Sequence, residues 1–322
     1  MKRIGVLAGV GSLAALGMVA VARRWRRRMP AGLRGRSDVT VEAVTRASPG
    51  AAGAAATEIA PEVYLLGPWG RTQTNAYLVG SGSSWILVDA GWKNDAPRIR
   101  AAARSLLGPA TPSAILLTHA HPDHSGSAHE LAQAWRCPVY AHPVELPLAT
   151  GDFGAMTRFA GPLDRWLILP LMRAIGRRRR EAALAGSSLA GIVHPLEPGG
   201  AIPGMDDWEW IHTPGHTPGH VAYFRARDRV LLSGDAILTL KVNAWTGILR
   251  QEQGLSGPPS YTTWDRRAAI ASIGEIAGLE PFVLATGHGL PLAGPGTAAA
   301  VHAFASRTVR GEASPRRSGR PA

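Results

Sequence analysis

The chain is poor in cysteine and in charge. Cys137 is the only cysteine among 322 residues, which excludes an internal disulfide and a thiolate-rich metal site. A single thiol is also compatible with a reducing compartment. Charged residues make up 18% of the chain and hydrophobic residues 45%, so the chain can bury a sizeable core and is not disordered as a whole. The length fits one large domain or two small ones.

Acidic residues are missing from one part of the chain, and the net charge of +12 is unevenly spread. Residues 1–36 hold nine Lys and Arg and no acid, residues 158–180 hold seven Arg and one Asp, and residues 307–322 hold five Arg and one Glu. The remainder is net negative, so a basic nucleic-acid surface is not expected. Clustered basic residues favour contact with an anionic membrane, with solvated ends and an arginine-rich composition as the alternative.

Long uncharged runs are also rare, and the one at residues 4–22 lies between Lys2-Arg3 and a cluster of arginines at 23–28. A helix of this length, at about 1.5 Å per residue, just spans a hydrocarbon core of about 30 Å. We therefore predict a transmembrane anchor with a basic flank over residues 1–28 and, from the heavier positive flank behind it, a body in the cytoplasm. A cleaved signal peptide and a soluble cytoplasmic leader are the alternatives. Gly5 and Gly9 form a GxxxG spacing, a weak indication of a homodimer.

The rest of the chain divides into a flexible Gly/Ala/Ser-rich linker over residues 29–57, a folded body over 58–306 and a disordered basic tail over 307–322. Hydrophobic patterns in the body predict short strands alternating with helices, an α/β (α+β) mixture in which sheets pack between helices. Strands are predicted at 62–66, 74–79, 84–88, 113–117, 138–141, 208–211, 221–225, 230–232 and 282–285, and helices at 94–107, with Asn94 as its cap, 126–135 and 262–279.

A basic amphipathic insertion interrupts this pattern at about residues 152–190. Apolar residues between Trp166 and Ile175 are followed by four consecutive arginines, Arg177 to Arg180. Such a segment is typical of an interfacial helix or a lid, and a helix packed on the body is an equal alternative.

The clearest chemical signal is the run from Thr118 to Gly126, which follows a predicted buried strand. It contains four side chains able to bind a metal within six residues, namely His119, His121, Asp123 and His124. In extended backbone, residues two apart face the same way, so the first two histidines can converge on one ion. We expect Pro122 and Gly126 to keep this run from being helical, and a turn there can carry Asp123 and His124 to a second ion.

Three further candidate ligands each follow a predicted strand and lie beside glycines that let the backbone turn: His216, Asp235 and His288. Imidazole and carboxylate ligands together suit Zn²⁺, although iron and manganese are tolerated. His212 and His220 flank His216, and we expect structural or solvent-facing roles for them, with support of the ligands as the alternative. The remaining candidates for structural histidines are His129, His142, His194 and His302.

The ordered HxHxDH run, the GHT histidine, the GDA aspartate and the GHG histidine resemble the motifs of the metallo-β-lactamase superfamily, and residues 88–91 resemble its first motif. The resemblance implies a four-layer αββα sandwich with two metal ions at one edge of the sheets. It implies that His119, His121 and His216 hold one ion, that Asp123, His124 and His288 hold the other, and that Asp235 bridges them. It also implies that Asp89 lies behind the ligands and orients them.

The same resemblance implies a metal-dependent hydrolase, in which a hydroxide shared by two metal ions attacks the substrate and Asp123 helps to position or deprotonate it. An aspartate that bridges both metals argues against β-lactam hydrolysis and favours a small thioester, lactone or ester as substrate, as in glyoxalase II and lactonases. The alternatives are a persulfide-type dioxygenase with one iron, and a phosphodiesterase or ribonuclease. We expect a small-molecule substrate, no specific nucleic acid, and membrane contact through the N-terminal helix.

Overall fold

The structure is a computed structural model, and it describes residues 56–81, 84–200 and 202–313. Fourteen strands are found in this part of the chain. They are β1 Thr57–Ala60, β2 Val63–Trp69, β3 Thr74–Ser81, β4 Ser84–Val88, β5 Ala114–Leu116, β6 Val139–Ala141, β7 Val193–Pro195, β8 Glu209–His212, β9 Val221–Arg225, β10 Val230–Leu232, β11 Leu238–Leu240, β12 Gln253–Ser256, β13 Val283–Ala285 and β14 Leu292–Ala293.

Ten α-helices accompany the strands in the described ranges. They are α1 Ala96–Leu107, α2 Pro122–Ser125, α3 Ala128–Trp135, α4 Leu146–Ala149, α5 Phe153–Arg158, α6 Leu169–Ala174, α7 Arg177–Ala185, α8 Trp245–Arg250, α9 Arg266–Gly278 and α10 Thr297–Ala313. A 3₁₀ turn at Pro143–Glu145 precedes α4, and a π-helical turn at Asp164–Ile168 runs directly into α6.

Two large sheets form the centre of the molecule. The first has seven strands in the order β1-β2-β3-β4-β5-β6-β7, and the second has five in the order β14-β13-β10-β9-β8. Strands β4, β5, β6 and β7 run parallel to one another in the first sheet, and β10 runs parallel to β13 in the second. Parallel neighbours end at the same sheet edge, so loops that follow them come together there.

Alternating side chains explain how the sheets are layered. In β4, Ile86 and Val88 pack with Tyr223 and Val230 of the second sheet, while Leu87 faces the other way. One buried cluster therefore lies between the two sheets, a second lies between the first sheet and helices α1 and α3, and a third lies between the second sheet and helices α9 and α10. This is an αββα sandwich, as predicted.

The sequence located the main strands and helices well but misjudged two local features. The prediction of a non-helical run after His121 is wrong, because Pro122 begins the one-turn helix α2. Proline suits the first helical position, since its fixed φ is already helical, and Gly126 also has a helical φ of −59°. Asn94 does not cap α1 but adopts a φ of 80°, and Ser127 Oγ accepts hydrogen bonds from the backbone N–H groups of Asp95 and Ala96 instead.

The predictions for the two ends of the chain can be compared with the structure only in part. Helix α10 continues to Ala313, so the part of the predicted disordered tail before that residue is helical. Among the described residues, no helix combines the length and the apolar character needed to cross a bilayer. The predicted anchor over residues 1–28 and almost all of the predicted linker over 29–57 lie outside the described residues.

Candidate metal centre

The candidate ligands lie where parallel strands end. The run that starts at His119 follows β5, and Asp89 follows the neighbouring strand β4. In the second sheet, Asp235 follows β10 and His288 follows its parallel neighbour β13. Because the two sheets pack face to face, these loops meet at one edge of the sandwich, and the loop after β8 adds His216.

The seven predicted ligand side chains are brought together there. The inward atoms of His119, His121 and His216 all lie within 4.8 Å of one another, and so do those of Asp123, His124 and His288. Asp235 lies between the two groups: its Oδ2 is 3.3 Å from His216 Nε2 and 3.5 Å from His288 Nε2, and its Oδ1 is 3.3 Å from His124 Nε2. The geometry offers two adjacent cation sites that share one carboxylate.

The outer nitrogens of three histidines are held by hydrogen bonds. His119 Nδ1 lies 3.0 Å from Thr118 Oγ1, His124 Nδ1 lies 2.7 Å from Asp89 Oδ2, and His288 Nδ1 lies 2.9 Å from the Thr72 carbonyl oxygen. Each arrangement keeps a proton on Nδ1, so Nε2 is the nitrogen that faces the cluster and that a metal can bind once it is deprotonated. The rings are thus oriented for metal binding by partners outside the cluster.

Asp89 lies behind the ligands, at the position that the sequence assigns to it. Its backbone has a φ of 59°, and its Oδ1 accepts hydrogen bonds from the backbone N–H and the hydroxyl of Thr118. Since Oδ2 also binds His124, one buried carboxylate connects the loop after β4 to two neighbouring parts of the HxHxDH run.

Inward atoms of this cluster lack the partners that buried polar atoms normally have. Among the described residues, His119 Nε2, His124 Nε2 and Asp235 Oδ1 are buried without a well-directed hydrogen bond, although the last two atoms lie 3.3 Å apart. A buried polar atom in this state is costly unless something else binds it. Gly287 lies against the same space, where a Cβ atom would collide with Asp235 Oδ1 and His124. The donor set and these orphaned atoms fit a pair of divalent metal ions.

The charges of the cluster also fit a metal-binding site. Burial alone would raise the pKa of Asp235, but His288 and His124 hold it well below its usual range. Burial works against a proton on His288, yet Asp235 and Asp123 raise its pKa to about 10. Without metal, histidine protons therefore balance the buried carboxylates, and metal ions that bind here displace those protons.

Glu145 is a buried residue that sequence reasoning missed. Its Oε1 accepts a hydrogen bond of 2.8 Å from the backbone N–H of Ala120, between the first two histidines of the run. Its Oε2 accepts bonds from Thr217 Oγ1 at 3.0 Å and from the Gly219 N–H at 2.9 Å. Glu145 thus ties the loop of His119 and His121 to the loop of His216. The signal was available, since Glu145 is a carboxylate just after a short buried strand.

His220 also supports the cluster, which was the alternative to a structural or solvent-facing role. It is fully buried, its Nε2 accepts a 2.9 Å hydrogen bond from the Asp235 backbone N–H, and its Nδ1 donates to Thr213 Oγ1 at 2.8 Å. Burial lowers the pKa of His220 to about 3, so the ring is neutral near pH 7. The residue fixes the backbone of Asp235 and has no free nitrogen for a metal.

The other histidines lie outside the cluster and have other partners. His212 stacks on His142 with ring centroids 4.2 Å apart, and its Nε2 donates to the Pro218 carbonyl oxygen. His129 Nδ1 donates to the Ser188 carbonyl oxygen, and His302 lies on α10, about half exposed. His194 lies in β7 beside Tyr140. These contacts agree with the structural roles predicted for them.

The insertion lies beside the metal-binding cluster. Its Leu163 N–H donates to the Tyr261 carbonyl oxygen at 2.7 Å, and its Phe159 ring meets Trp264 edge-on, with centroids 5.4 Å apart. The Trp264 N–H in turn donates to the His216 carbonyl oxygen at 3.1 Å. Burial raises the pKa of Asp164 in the insertion, while the nearby His121 opposes that shift. Of the predicted alternatives, the structure shows helices packed on the body.

Comparison with known proteins agrees with this geometry. The family model described as "Metallo-beta-lactamase superfamily" matches residues 69–288. That stretch covers more than half of the chain and contains every candidate ligand, so the chain belongs to the metallo-β-lactamase superfamily. Membership, together with the His/Asp cluster, defines a metal-dependent hydrolase of this fold.

The chain is similar to several proteins of that group. It is 38% identical over 214 residues to "Probable metallo-hydrolase YflN" of Bacillus subtilis, a match that covers 66% of this chain and 77% of the relative. It is 30% identical over 131 residues to a hydroxyacylglutathione hydrolase of Bdellovibrio bacteriovorus, covering 40% of this chain but only 36% of that enzyme. A metallo-beta-lactamase family protein of Thermus thermophilus shares the fold, with a TM-score of 0.55, 23% identity, and coverage of 80% of this chain and 81% of that one.

Proposed function

We propose that the protein hydrolyses a small thioester, lactone or related ester with the help of two divalent metal ions, and we expect these to be Zn²⁺. His119, His121 and His216 would hold one ion, and Asp123, His124 and His288 would hold the other. Asp235 is shared between the two sites. When bound, such a pair of ions supplies Lewis acidity and lowers the pKa of water towards neutrality.

One observation carries the proposal: two adjacent groups of inward-facing donors share a single carboxylate. Asp235 lies 3.3 Å from His216 of one group and 3.3 Å from His124 of the other. Two positive charges held close together repel each other, and a carboxylate placed between them offsets that repulsion. A site for one ion would not need this arrangement.

The protein's own groups position the reacting atoms. Burial alone would raise the pKa of Asp123, but His124 and His288 hold it below its usual range, so the carboxylate is ionised. Asp123 Oδ2 is 3.3 Å from His288 Nε2, which aims the carboxylate at the cluster. An ionised carboxylate in this place can orient the attacking water through a hydrogen bond, whereas its lowered pKa makes it a weak proton acceptor.

The choice of substrate class rests on two further points. The shared position of Asp235 disfavours β-lactam hydrolysis, and a relative that matches over 131 residues is named a hydroxyacylglutathione hydrolase. Cys137 is buried in the core, away from the cluster, and burial raises its pKa to about 11. A covalent thiol mechanism at neutral pH is therefore not expected from this chain.

The test is metal analysis of the purified full chain, followed by hydrolysis assays on matched thioesters, lactones, oxyesters and phosphodiesters. We expect about two divalent ions per chain, hydrolysis of a carboxylic substrate, and loss of that activity on chelation with recovery when metal returns. Preference for phosphodiesters would overturn the substrate class. A single iron per chain together with oxygen uptake on a persulfide would instead indicate a dioxygenase of the same fold.

A further inference from the structure

Three large apolar side chains within one ten-residue stretch of the insertion are exposed. Trp166 is 77% exposed, Leu171 49% and Ile175 37%. Trp166 lies in the π-helical turn Asp164–Ile168, which continues directly into the helix that carries Leu171. Ile175 follows one ordinary turn after Leu171, to whose carbonyl oxygen its N–H donates. We call Trp166, Leu171 and Ile175 the exposed stripe.

The stripe is displayed by a helix that is already packed on the body. Leu163 and Leu169 of the same segment are 9% and 3% exposed, so the opposite side of the helix is buried. The backbone hydrogen bond from Leu163 to Tyr261 fixes the start of the segment. The stripe is therefore exposed on a helix that is held against the core, and not because that helix is detached from the body.

Positive charge surrounds the stripe in the chain. Exposed arginines occur within the same helix and at the start of the next, namely Arg165, Arg173, Arg177, Arg178 and Arg179. Nearby acids are fewer: Asp164 faces the cluster, and Glu181 pairs with Arg177 at 2.8 Å. The surface thus combines a tryptophan and two aliphatic side chains with an excess of guanidinium groups.

We propose that the exposed stripe and its arginines form a docking surface for an anionic phospholipid membrane. Tryptophan is enriched at the membrane–water interface, aliphatic side chains enter the acyl boundary, and arginines bind anionic headgroups while their stems lie along apolar surface. An acidic protein surface would satisfy the guanidinium groups but would leave a 77% exposed tryptophan and two exposed aliphatic residues in the same segment without an apolar partner.

The amino-acid sequence outside the described residues supports this occupant. Residues 4–22 are uncharged and are followed by a cluster of arginines, so a second segment with membrane-binding composition precedes the domain. Stable membrane attachment commonly takes two weak signals that act together. The stripe also lies on the segment that flanks the metal-binding cluster, so docking would bring the lipid surface next to that site.

The experiment uses a fluorophore at the stripe of the full chain. Cys137 is replaced by alanine, Leu171→Cys carries an NBD label, and the protein is mixed with vesicles of phosphatidylcholine alone or with added phosphatidylglycerol. We expect a blue-shifted, enhanced emission with the anionic vesicles and little change with the neutral ones. The readout is local to position 171, so attachment of residues 1–55 to the bilayer does not by itself produce it.

Two controls make the result specific. The same label at Phe282→Cys, a residue that is 40% exposed at the opposite end of the strand leading to His288, should not respond. Trp166→Ser, or Arg178→Gln with Arg179→Gln, should remove most of the emission change at position 171. The matched pair Arg307→Gln with Arg310→Gln, on exposed positions of α10, should leave it intact.

Three outcomes would overturn the proposal: no emission change with anionic vesicles, an equal change at position 282, or a change that appears without vesicles as protein concentration rises. The last result would assign the stripe to a second copy of this chain. Hydrolysis of a water-soluble substrate should be unchanged in the same variants, because none of these residues belongs to the metal-binding cluster. Failure of docking and failure of the proposed hydrolysis are therefore separate results.

Discussion

The molecule holds two groups of histidines that look alike in sequence but differ in what their nitrogens bind. In the metal-binding cluster, His119 and His124 each direct a buried Nε2 towards a common space, where it has no hydrogen bond among the described residues. In the second group, His142 and His212 stack at an interplanar angle of 9°. There, His212 Nε2 donates to the Pro218 carbonyl oxygen and His142 Nδ1 accepts from the Val144 N–H.

This difference distinguishes a histidine that can bind a metal from a structural histidine. His212 and His216 lie on the same loop, four residues apart, and both lie close to other histidines. Only the second belongs to the set of inward-facing donors: its Nε2 lies 2.9 Å from His121 Nδ1 and 3.3 Å from Asp235 Oδ2. Other members of that set, His119 and His124, have buried nitrogens without a hydrogen bond. The unsatisfied atoms and the surrounding charge, rather than the number of histidines, define the site.

The strongest test of the comparison is Asp235→Ala. This substitution removes the carboxylate that contacts both groups of donors, so we expect loss of bound metal and a fall in hydrolysis greater than the roughly 10–100-fold typical of outer partners of a metal site. Metal per chain by mass spectrometry and initial hydrolysis rates provide the measurement. Asp206→Asn, at an exposed aspartate, is the control. Unchanged metal content in Asp235→Ala would refute the assignment of the cluster.

Glu145→Gln should have the next largest effect. An amide places an NH₂ group against at least one of the three donors that Glu145 now accepts from, so one link between the two ligand loops is lost. We expect metal affinity or activity to fall roughly 10–100-fold, as for outer partners of metal ligands. Metal titration, with kcat and KM measured separately at saturating metal, provides the test.

Glu130→Gln, on the exposed side of α3, is the matched control for Glu145→Gln. If Glu145 only stabilises the fold, the variant will unfold more easily but bind metal with unchanged affinity. Recovery of activity at high metal concentration would show that Glu145 acts by positioning the ligands.

Glu145 shows which part of the site could not be predicted from the sequence. The seven ligand candidates were recognisable because each follows a strand and lies near glycine, and because four of them are crowded into one run. Glu145 follows a three-residue strand and lies in a 3₁₀ turn, where no neighbouring residue of the same chemistry draws attention to it. Its role depends on backbone N–H groups of Ala120 and Gly219, which any sequence provides.

The strands of the fold also differ in how well the sequence predicts them. Strands with alternating or continuous apolar residues, such as β4 and β9, were predicted with the bounds that the structure has. The two-residue strand β14 carries too few residues to show a period. Strand β7 reads Val-His-Pro and is largely exposed, so it lacks the apolar run that marked the equally short strand β10. Local chemistry was also ambiguous at Pro122, since proline both ends and begins helices, and only its neighbours in space decide between the two.

His220→Leu should produce a smaller and more structural effect. The leucine removes the acceptor for the Asp235 N–H and leaves that buried donor unsatisfied, so we expect the free energy of unfolding to fall by about 1–3 kcal/mol. Urea unfolding measures the change, and His302→Leu, at a residue about half exposed, is the control. Equal stability of wild type and His220→Leu would show that this hydrogen bond does not hold Asp235.

The smallest effect is expected in the second histidine group, from His142→Phe. Burial, and then the neighbouring His212, lower the pKa of His142 from 6.5 to about 4. As the pH falls through 6.5, His142 binds a proton in the unfolded chain but not in the folded protein. Wild-type stability therefore declines until about pH 4, where the folded ring is protonated as well. Phenylalanine keeps a flat ring against Trp210 but does not titrate.

The free energy of unfolding of His142→Phe relative to that of wild type should therefore increase as the pH falls from 7 to 4.5. The comparison is made on metal-free proteins, in which protonation of the metal ligands affects both proteins equally. Urea midpoints of the two proteins at each pH give the measurement. A constant difference would mean that His142 is solvated enough to titrate normally. In that case the contrast between His142 and the metal-binding cluster would rest on the nitrogens without hydrogen bonds alone.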